Sequence, residues 1–442
     1  MDTLLICNAQ IVNEGCIQQA DIFIRGGRIA RIGKDLSHLP SDHTLDVLGK
    51  YLLPGIIDSQ FTVPDLLCNP DVLRQESQAA LAGGITSIML LPSSDKGEPS
   101  PDHVSPKVAE SAHCNFATYK SIRRDELNGL QELSVEQHCG LYVSTSSEDD
   151  QLRFDNATEL EQLLVQSPIL VAVHAESGPL VAESEESHRQ IYGDNIPFHL
   201  HSVIHGDQAC ASAAKEVLEL AKETQARVHL LHVSSAAEVE LLEHYRDKQQ
   251  RISADICSHF LTFSDADYSA KGSLLKYDPA IKTDVDRAAL IQAVLDGQVD
   301  TICSGHIPIS EKEKQGAYFD VRSGLPQAQF ALPSILEHYQ DQILSLETIV
   351  QKTSHAVADK FAIQDRGYIR EGYWADLVLI DVEGSFIARD EDVISSAGWT
   401  IFSGNEFRSS VLVTILNGKI AWAHGEFAKD LGLGQCLQFI RN

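Results

Sequence analysis

The sequence lacks the features of membrane-bound and secreted proteins. No stretch reaches the roughly 18 consecutive apolar residues that a membrane-spanning helix needs. The first residues, MDTLLICNAQIVNEG, contain no basic segment followed by a long apolar one. The nine cysteines form no Cys-x-x-Cys pair, and several, such as Cys303, lie in apolar strand-like runs, which is typical of reduced buried thiols. We therefore expect a cytoplasmic protein without a membrane partner.

Positive charge is also scarce. The chain has 35 lysines and arginines against 63 aspartates and glutamates, which gives a formal net charge of −28. Such a surface repels phosphate backbones and anionic lipids, so we expect no nucleic-acid partner. Neither a Gly-x-Gly-x-x-Gly nor a Walker A motif is present to favour a nucleotide fold. Apolar residues at 43% and charged residues at 22% indicate an ordinary globular chain.

Both ends of the chain have the pattern of short β-strands. In ADIFIRGGRIARIG, Gly26-Gly27 predicts a hairpin turn, and Asn417-Gly418 predicts another in SVLVTILNGKIAWAHGEF. The run ADLVLIDV reads as a further strand near the second hairpin. We predict one composite β-domain made from residues 1–52 and 368–442.

The middle of the chain, residues 53–367, alternates short apolar runs with amphipathic helical segments. One example is DQACASAAKEVLELAKET followed by ARVHLLHVSS. This alternation predicts a parallel sheet with crossover helices and strands buried on both faces. At this length we predict an α/β fold of the (β/α)₈ barrel type rather than an open doubly wound sheet.

Two histidines follow apolar strands directly. His174 ends the run ILVAV and His232 ends RVHLL. A single histidine in such a place is more often a hydrogen-bonded core residue than a ligand. Two at equivalent strand ends indicate a ligand cluster, because the C-terminal ends of barrel strands form the site in this fold.

Segments along nearly the whole chain carry a family resemblance. They are GKYLLPGIID, ALAGGITSIMLLP, VAVHAES, LLHVSSAAEVELL, ISADICSHFLTF, YDPAIKTDVDRAALIQAVLDGQVDTICSGHIPIS, SGLPQAQFALP and DRGYIREGYWADLVLIDV. The chain resembles the amidohydrolase superfamily and, within it, the cyclic amidohydrolases. The resemblance is strongest to dihydroorotase of pyrimidine biosynthesis and weaker to dihydropyrimidinase. The resemblance implies a metal-binding barrel of the metal-dependent hydrolase type, a β-sandwich formed by both termini, and zinc as the cofactor.

The positions that match the family's metal ligands are mostly replaced. Active relatives carry Asp-x-His-x-His after the first strand, and the matching histidine positions here are Gln60 and Thr62. The position of the bridging carboxylated lysine in some relatives matches Leu141. His174 and His232 match the two remaining histidine ligands. The resemblance therefore implies a remnant metal site with two imidazoles.

The positions that match the family's base and substrate contacts are replaced too. The last strand normally ends Asp-His-Ala-Pro-His, and Gly305 stands at the place of this Asp, which is a ligand and the general base, with His306 after it as a possible pocket residue. The family's substrate-binding arginine falls near Pro64, and its two asparagines match Ser93 and Asp278. Asp278 would repel a carboxylate-bearing substrate.

Hydrolysis of a cyclic amide needs a strong nucleophile, which a metal provides by lowering the pKa of its water from about 15.7 to near 7. A catalytic zinc usually has three protein ligands, and two imidazoles hold it weakly. We expect no cofactor or substoichiometric zinc. A rebuilt site with Asp58, Glu176, His259 or His306 is the alternative, but each of these also reads as a hydrogen-bonding residue or a leftover of the pocket.

Three functions follow from these patterns. The preferred one is a catalytically inactive dihydroorotase homologue that acts as a structural or regulatory partner, for example of aspartate transcarbamoylase. The alternative is an active dihydroorotase or related cyclic amidohydrolase with an altered, reduced metal site. A third hypothesis is a barrel that senses a pyrimidine intermediate without converting it. The family resemblance also implies a homo-oligomer.

Overall fold

The computed structural model describes residues 2–64, 70–92, 109–133, 136, 138–246 and 251–441. Five strands come first: β1 Thr3–Asn13, β2 Cys16–Arg25, β3 Arg28–Gly33, β4 His43–Asp46 and β5 Tyr51–Pro54. β2 and β3 pair antiparallel with Arg25 opposite Arg28, and the two glycines between them have φ values of 60° and 82°. Positive φ at both central residues is what a tight hairpin needs, so the predicted turn at Gly26-Gly27 is confirmed.

A closed barrel of parallel strands follows. Its strands are β6 Ile56–Phe61, β7 Ile85–Leu90, β8 Asn115–Thr118 with its short continuation β9 Lys120–Ser121, β10 Leu141–Ser144, β11 Val171–His174, β12 Val228–Leu230, β13 Ile252–Cys257 and β14 Thr301–Cys303. Every residue of β6, β7 and β13 is buried, because both faces of a barrel strand are covered. The barrel closes where the backbone N–H of Thr62 donates to the carbonyl of His306 at 2.9 Å. The predicted (β/α)₈ barrel is confirmed, and the open sheet is excluded.

Helices cover the outside of the barrel. Numbered through the described residues, they are α1 Pro70–Ala82, α2 Ala157–Gln166, α3 Gly178–Tyr192, α4 His201–Ile204, α5 Asp207–Thr224, α6 Ala236–Tyr245, α7 Ser258–Thr262, α8 Tyr268–Lys271, α9 Asp284–Leu295, α10 Ala331–Gln340, α11 Leu346–Val350 and α12 Ala356–Phe361. The side chain of Asn156 accepts two backbone N–H groups at the start of α2, and Thr283 and Asp286 form a capping box on α9. None of the helices in the described part of the chain is long and apolar enough to cross a membrane.

The last strands return to the first sheet. They are β15 Leu377–Asp381, β16 Phe386–Ile387, β17 Glu406–Phe407, β18 Ser410–Leu416, β19 Lys419–Ala423 and β20 Glu426–Phe427. β15 pairs with β5, which joins both ends of the chain in one sheet of order β20-β19-β18-β15-β5-β1-β2-β3, with β4 beside β1. Asn417 and Gly418 have φ values of 49° and 79° between β18 and β19, so the second predicted hairpin is also confirmed. The composite β-domain is therefore present, and its boundaries at residues 52 and 368 stay a prediction.

Candidate functional site

The C-terminal ends of the barrel strands open into a cavity of about 810 Å³. The predicted site residues that line it are Gln60, Thr62, Pro64, His174, His232, Asp278, Gly305 and His306. Leu141 does not line it, because it begins β10 and is fully buried in the core, while Tyr142 and Ser144 from the same strand reach the cavity. Ser93 lies outside the described residues.

The two histidines at the strand ends bind each other. Nδ1 of His174 lies 2.8 Å from Nε2 of His232, and Nε2 of His174 lies 3.0 Å from Oγ of Ser146. Burial lowers the pKa of His174, although Glu176 opposes this effect, and burial followed by the neighbouring His174 holds the pKa of His232 well below its usual range. Both shifts favour the neutral imidazoles, and the contact between the facing nitrogens is a hydrogen bond from one ring to the other.

Gln60 is fixed by a buried carboxylate at the centre of the barrel. Its Nε2 donates to Oδ1 of Asp255 at 2.5 Å, and the backbone N–H of His232 donates to the same oxygen at 2.6 Å. Oδ2 of Asp255 accepts from Ser59 and lies 3.1 Å from Nε2 of His229. The amide of Gln60 is thus held in a structural network. Sequence reasoning missed Asp255, although a carboxylate inside the buried run ISADIC was a visible signal.

Gly305 has no room for a side chain. A Cβ atom there would lie 2.6 Å from Sγ of Cys257, 2.8 Å from the hydroxyl of Tyr277 and 2.9 Å from Cε1 of His259, and the φ of Gly305 is 63°. Burial lowers the pKa of His259 to about 3, although a backbone contact with Ser304 opposes this effect, and neither ring nitrogen makes a hydrogen bond of good geometry within the described chain. The space beside the last strand is therefore filled by a thiol, a phenol and a neutral imidazole.

Asp58 and His306 are both held by hydrogen bonds. Asp58 accepts from the backbone N–H and the hydroxyl of Ser304, and burial raises its pKa to about 6. Nε2 of His306 lies 3.0 Å from Oε2 of Glu76, and Nδ1 of His306 accepts the backbone N–H of Ala328 at 3.1 Å. Both ring nitrogens of His306 make hydrogen bonds to other residues, so neither is free to bind an ion or a ligand in the cavity.

A second polar cluster lies on the cavity wall. His201 begins α4, His205 follows that helix, and Asp278 stands opposite them, with Oδ1 at 3.2 Å from Nε2 of His201 and 3.6 Å from Nε2 of His205. Nδ1 of His205 lies 2.9 Å from Oε1 of Glu176. Burial disfavours the charged form of His205, but Glu176 and Asp278 outweigh it and raise the pKa of His205 to about 9. This wall is charged, whereas the centre is neutral.

Sequence reasoning missed His201 and His205. Burial, reinforced by the neighbouring His205, lowers the pKa of His201 to about 4, so this ring is neutral beside a protonated one. The segment FHLHSVIH holds three histidines in eight residues, and the spacing of four between the last two places them on one face of a helical turn. That spacing was the available signal. The two histidines lie in and just after a short helix within a loop, away from the strand ends at which the sequence predicts ligands.

No protein-family model matches the chain. The chain is 27% identical over 430 residues to a dihydroorotase of Anoxybacillus flavithermus, which covers 94% of this chain and 97% of that protein. A dihydroorotase of Methanosarcina acetivorans is 26% identical over 462 residues, with 99% of this chain and 96% of that protein covered. These similarities support a dihydroorotase-like chain.

Solved structures agree with the fold of this dihydroorotase-like chain. The L-hydantoinase of Arthrobacter aurescens superimposes with a TM-score of 0.90 at 20% identity and covers 99% of this chain and 100% of that one. The dihydropyrimidinase of Brevibacillus agri gives a TM-score of 0.88 at 22% identity with 100% of each chain covered. Both share the architecture of a barrel with a β-sandwich domain.

Amidohydrolases of this family are metal-dependent and use zinc. The centre of the cavity in the dihydroorotase-like chain does not fit that ion. A catalytic zinc takes three protein ligands, whereas the centre offers the imidazoles of His174 and His232, which are hydrogen-bonded to each other at 2.8 Å. Gln60 is committed to Asp255, and Gly305 offers no donor.

Proposed function

We propose that this chain is a dihydroorotase homologue that does not hydrolyse dihydroorotate and acts as a structural or regulatory partner in pyrimidine biosynthesis. The observation that carries the proposal is the filled space at Gly305, where Cys257, Tyr277 and His259 would all lie within 3.0 Å of a Cβ atom. Hydrolysis of a cyclic amide needs a base to move the proton of the attacking water. No carboxylate can stand at this strand end without displacing buried side chains.

The nucleophile is the second requirement. A family member would generate it on a metal at the centre of the cavity. Here the imidazoles of His174 and His232 bind each other, and the amide of Gln60 binds Asp255. This arrangement supports a chain whose central side chains stabilise the barrel instead of holding an ion.

The charge of the cavity supports the same proposal. Among the described residues, the acidic ones that line it are Glu148, Asp155, Glu176, Glu185, Asp278 and Asp320, and the basic ones are Arg153, Lys276, Arg322 and the protonated His205. The ammonium group of Lys276 donates to the carbonyls of Tyr318 and Val321 at 2.8 Å, and Arg322 pairs with Glu313 at 2.7 Å. An anionic substrate would therefore meet an excess of carboxylates.

Turnover is the direct test. We expect the purified protein, supplied with zinc, to show no conversion of dihydroorotate or carbamoyl aspartate above the buffer rate, while the Anoxybacillus flavithermus dihydroorotase serves as the positive control. Turnover by this chain that disappears in His174→Ala and His232→Ala would overturn the proposal in favour of the altered cyclic amidohydrolase. Hydantoins and dihydropyrimidines belong in the same screen, and heat on titration without turnover would favour the sensing hypothesis.

The proposed partner is aspartate transcarbamoylase, and its support is the similarity to dihydroorotases together with an intact barrel. Sedimentation of this chain alone tests the proposed homo-oligomer. Sedimentation with aspartate transcarbamoylase from the same organism should give a larger complex. Independent sedimentation of the two proteins at micromolar concentration would rule out this partner.

A further inference from the structure

Three side chains on the cavity wall converge as metal ligands do. Nε2 of His201 and Nε2 of His205 lie 3.2 Å and 3.6 Å from Oδ1 of Asp278. Among the residues that the structure describes, these three form a group whose ligand atoms all lie within 4.8 Å of one another. Ligand atoms around a tetrahedral zinc are about 3.3 Å apart, so the two distances to Asp278 are already close to those of a zinc site.

Each imidazole is oriented from behind. Nδ1 of His205 lies 2.9 Å from a carboxylate oxygen of Glu176, and Nδ1 of His201 lies 2.8 Å from the hydroxyl of Tyr318. Histidines that bind metals usually donate their other N–H to such an oxygen, which fixes the ring and the tautomer. The Nε2 atoms of both rings then lie on the side of Asp278, within 3.6 Å of its Oδ1. At the centre of the cavity His174 has a similar partner in the hydroxyl of Ser146, but its other nitrogen binds His232.

The site is buried on one side and open on the other. His201 is fully buried and His205 is 8% exposed, whereas the side chain of Asp278 is 38% exposed and lines the cavity. Oδ1 of Asp278 has no hydrogen-bond partner of good geometry. Three protein ligands leave a fourth position for water at a tetrahedral zinc, and the cavity beside His205 and Asp278 is where that water would enter.

His201 must change its tautomer for this role. Its Nε2 lies 2.9 Å from the carbonyl of Tyr277 and donates to it without metal. An ion on Nε2 requires that proton to move to Nδ1, where the hydroxyl oxygen of Tyr318 accepts it. The ring of His201 stays neutral while its proton moves from Nε2 to Nδ1 through the solvent, and the hydroxyl of Tyr318 rotates to accept it. His205 is protonated, so it must release the proton on Nε2 to the solvent as the ion binds and keep the proton on Nδ1 towards Glu176.

We propose that His201, His205 and Asp278 bind one divalent transition-metal ion of the zinc type. Two imidazoles and a carboxylate favour zinc, cobalt or nickel over calcium and magnesium, which prefer an all-oxygen set. The ion would connect α4 to the loop that carries Asp278 and thereby fix one wall of the cavity. This role goes beyond the proposed function, because it gives the chain a metal at a place other than the centre of the barrel.

The test is titration of the metal-stripped, full-length protein with zinc alone, followed by cobalt as a spectroscopic probe. We expect one zinc per chain and a tetrahedral cobalt spectrum in the visible range. His205→Gln and Asp278→Asn should weaken zinc binding at least about 100-fold, and Glu176→Gln about 10–100-fold, which is the usual effect of losing an outer hydrogen-bond partner. His174→Ala, which removes an imidazole from the centre, is the matched control and should bind zinc as the parent does.

Two results would overturn this site: no zinc bound by the parent protein, or binding that survives in His205→Gln and Asp278→Asn but is lost in His174→Ala. Circular dichroism shows whether each variant is folded. If His205→Gln does not fold, Asp278→Asn, which keeps the shape of the side chain, tests the site alone. Zinc on this wall without turnover supports both proposals. Turnover that depends on His205 would keep the metal site and overturn the proposed function.

Discussion

The centre and the wall of one cavity use the same residue types in opposite ways. At the centre, the imidazoles of His174 and His232 face each other at 2.8 Å. On the wall, the imidazoles of His201 and His205 each bind an oxygen through Nδ1, and their Nε2 atoms lie within 3.6 Å of Oδ1 of Asp278. The difference teaches that the partners of its two ring nitrogens decide what a histidine can bind. Position at a strand end does not suffice.

The largest change in stability is expected when a carboxylate is placed at position 305, where the family has its Asp. Gly305→Asp puts a Cβ within 3.0 Å of Cys257, Tyr277 and His259 at a φ of 63° and also buries a charge. Overpacking and backbone strain each cost about 1–3 kcal/mol and the buried carboxylate adds to them, so we expect a loss of about 4 kcal/mol or more in the free energy of unfolding from the middle of these ranges. Urea denaturation of the variant and the parent protein measures this loss.

Gly297→Ala is the matched control for this substitution. Gly297 has a similar φ of 75° but no atom within 4 Å of a Cβ, so only backbone strain of about 1 kcal/mol should appear. A Gly305→Asp variant as stable as the Gly297→Ala variant would show that the space at position 305 is not filled.

Zinc bound on the cavity wall should raise the free energy of unfolding by an amount smaller than the loss expected for Gly305→Asp. A ligand that binds only the folded chain adds about 2.7 kcal/mol at a free concentration of 100 times its Kd. We expect that increase in the free energy of unfolding of the parent protein and of His174→Ala, measured by urea denaturation with zinc. Asp278→Asn should show almost none of it. An equal gain in Asp278→Asn would place the ion elsewhere.

The smallest effect concerns pH and the buried ring beside Gly305. Burial lowers the pKa of His259 to about 3, against about 6.5 in an unfolded chain, so the unfolded state takes up the proton first as pH falls. The contribution of His259 to stability is complete above about pH 6.5 and is lost progressively towards about pH 3. Between about pH 7 and pH 5 the parent should lose about 2 kcal/mol more than His259→Leu. Parallel losses in both proteins would mean that His259 is protonated in the folded state.

Much of the fold was predictable because its signals are local. The turns at Gly26-Gly27 and Asn417-Gly418 require positive φ, which those residues adopt readily, and the alternation of strands and helices decided the barrel. The strand-end rule also brought His174 and His232 into one cavity. These predictions needed no knowledge of contacts between distant segments.

The rest of the site depends on such contacts. The filling of the space at Gly305 involves Tyr277, which lies in a different loop, and the convergence on Asp278 involves a short helix more than seventy residues away along the chain. The hydrogen bond between His174 and His232 is set by ring orientation, which the sequence does not encode locally. Side-chain direction across the barrel mouth therefore had to be observed.

The most direct test of this account is X-ray diffraction at the zinc absorption edge from crystals grown with one equivalent of zinc. We predict an anomalous peak between the Nε2 atoms of His201 and His205 and the carboxylate of Asp278, with nothing above noise between His174 and His232. A fully occupied peak at that second position, with Gln60 turned towards it, would contradict the account.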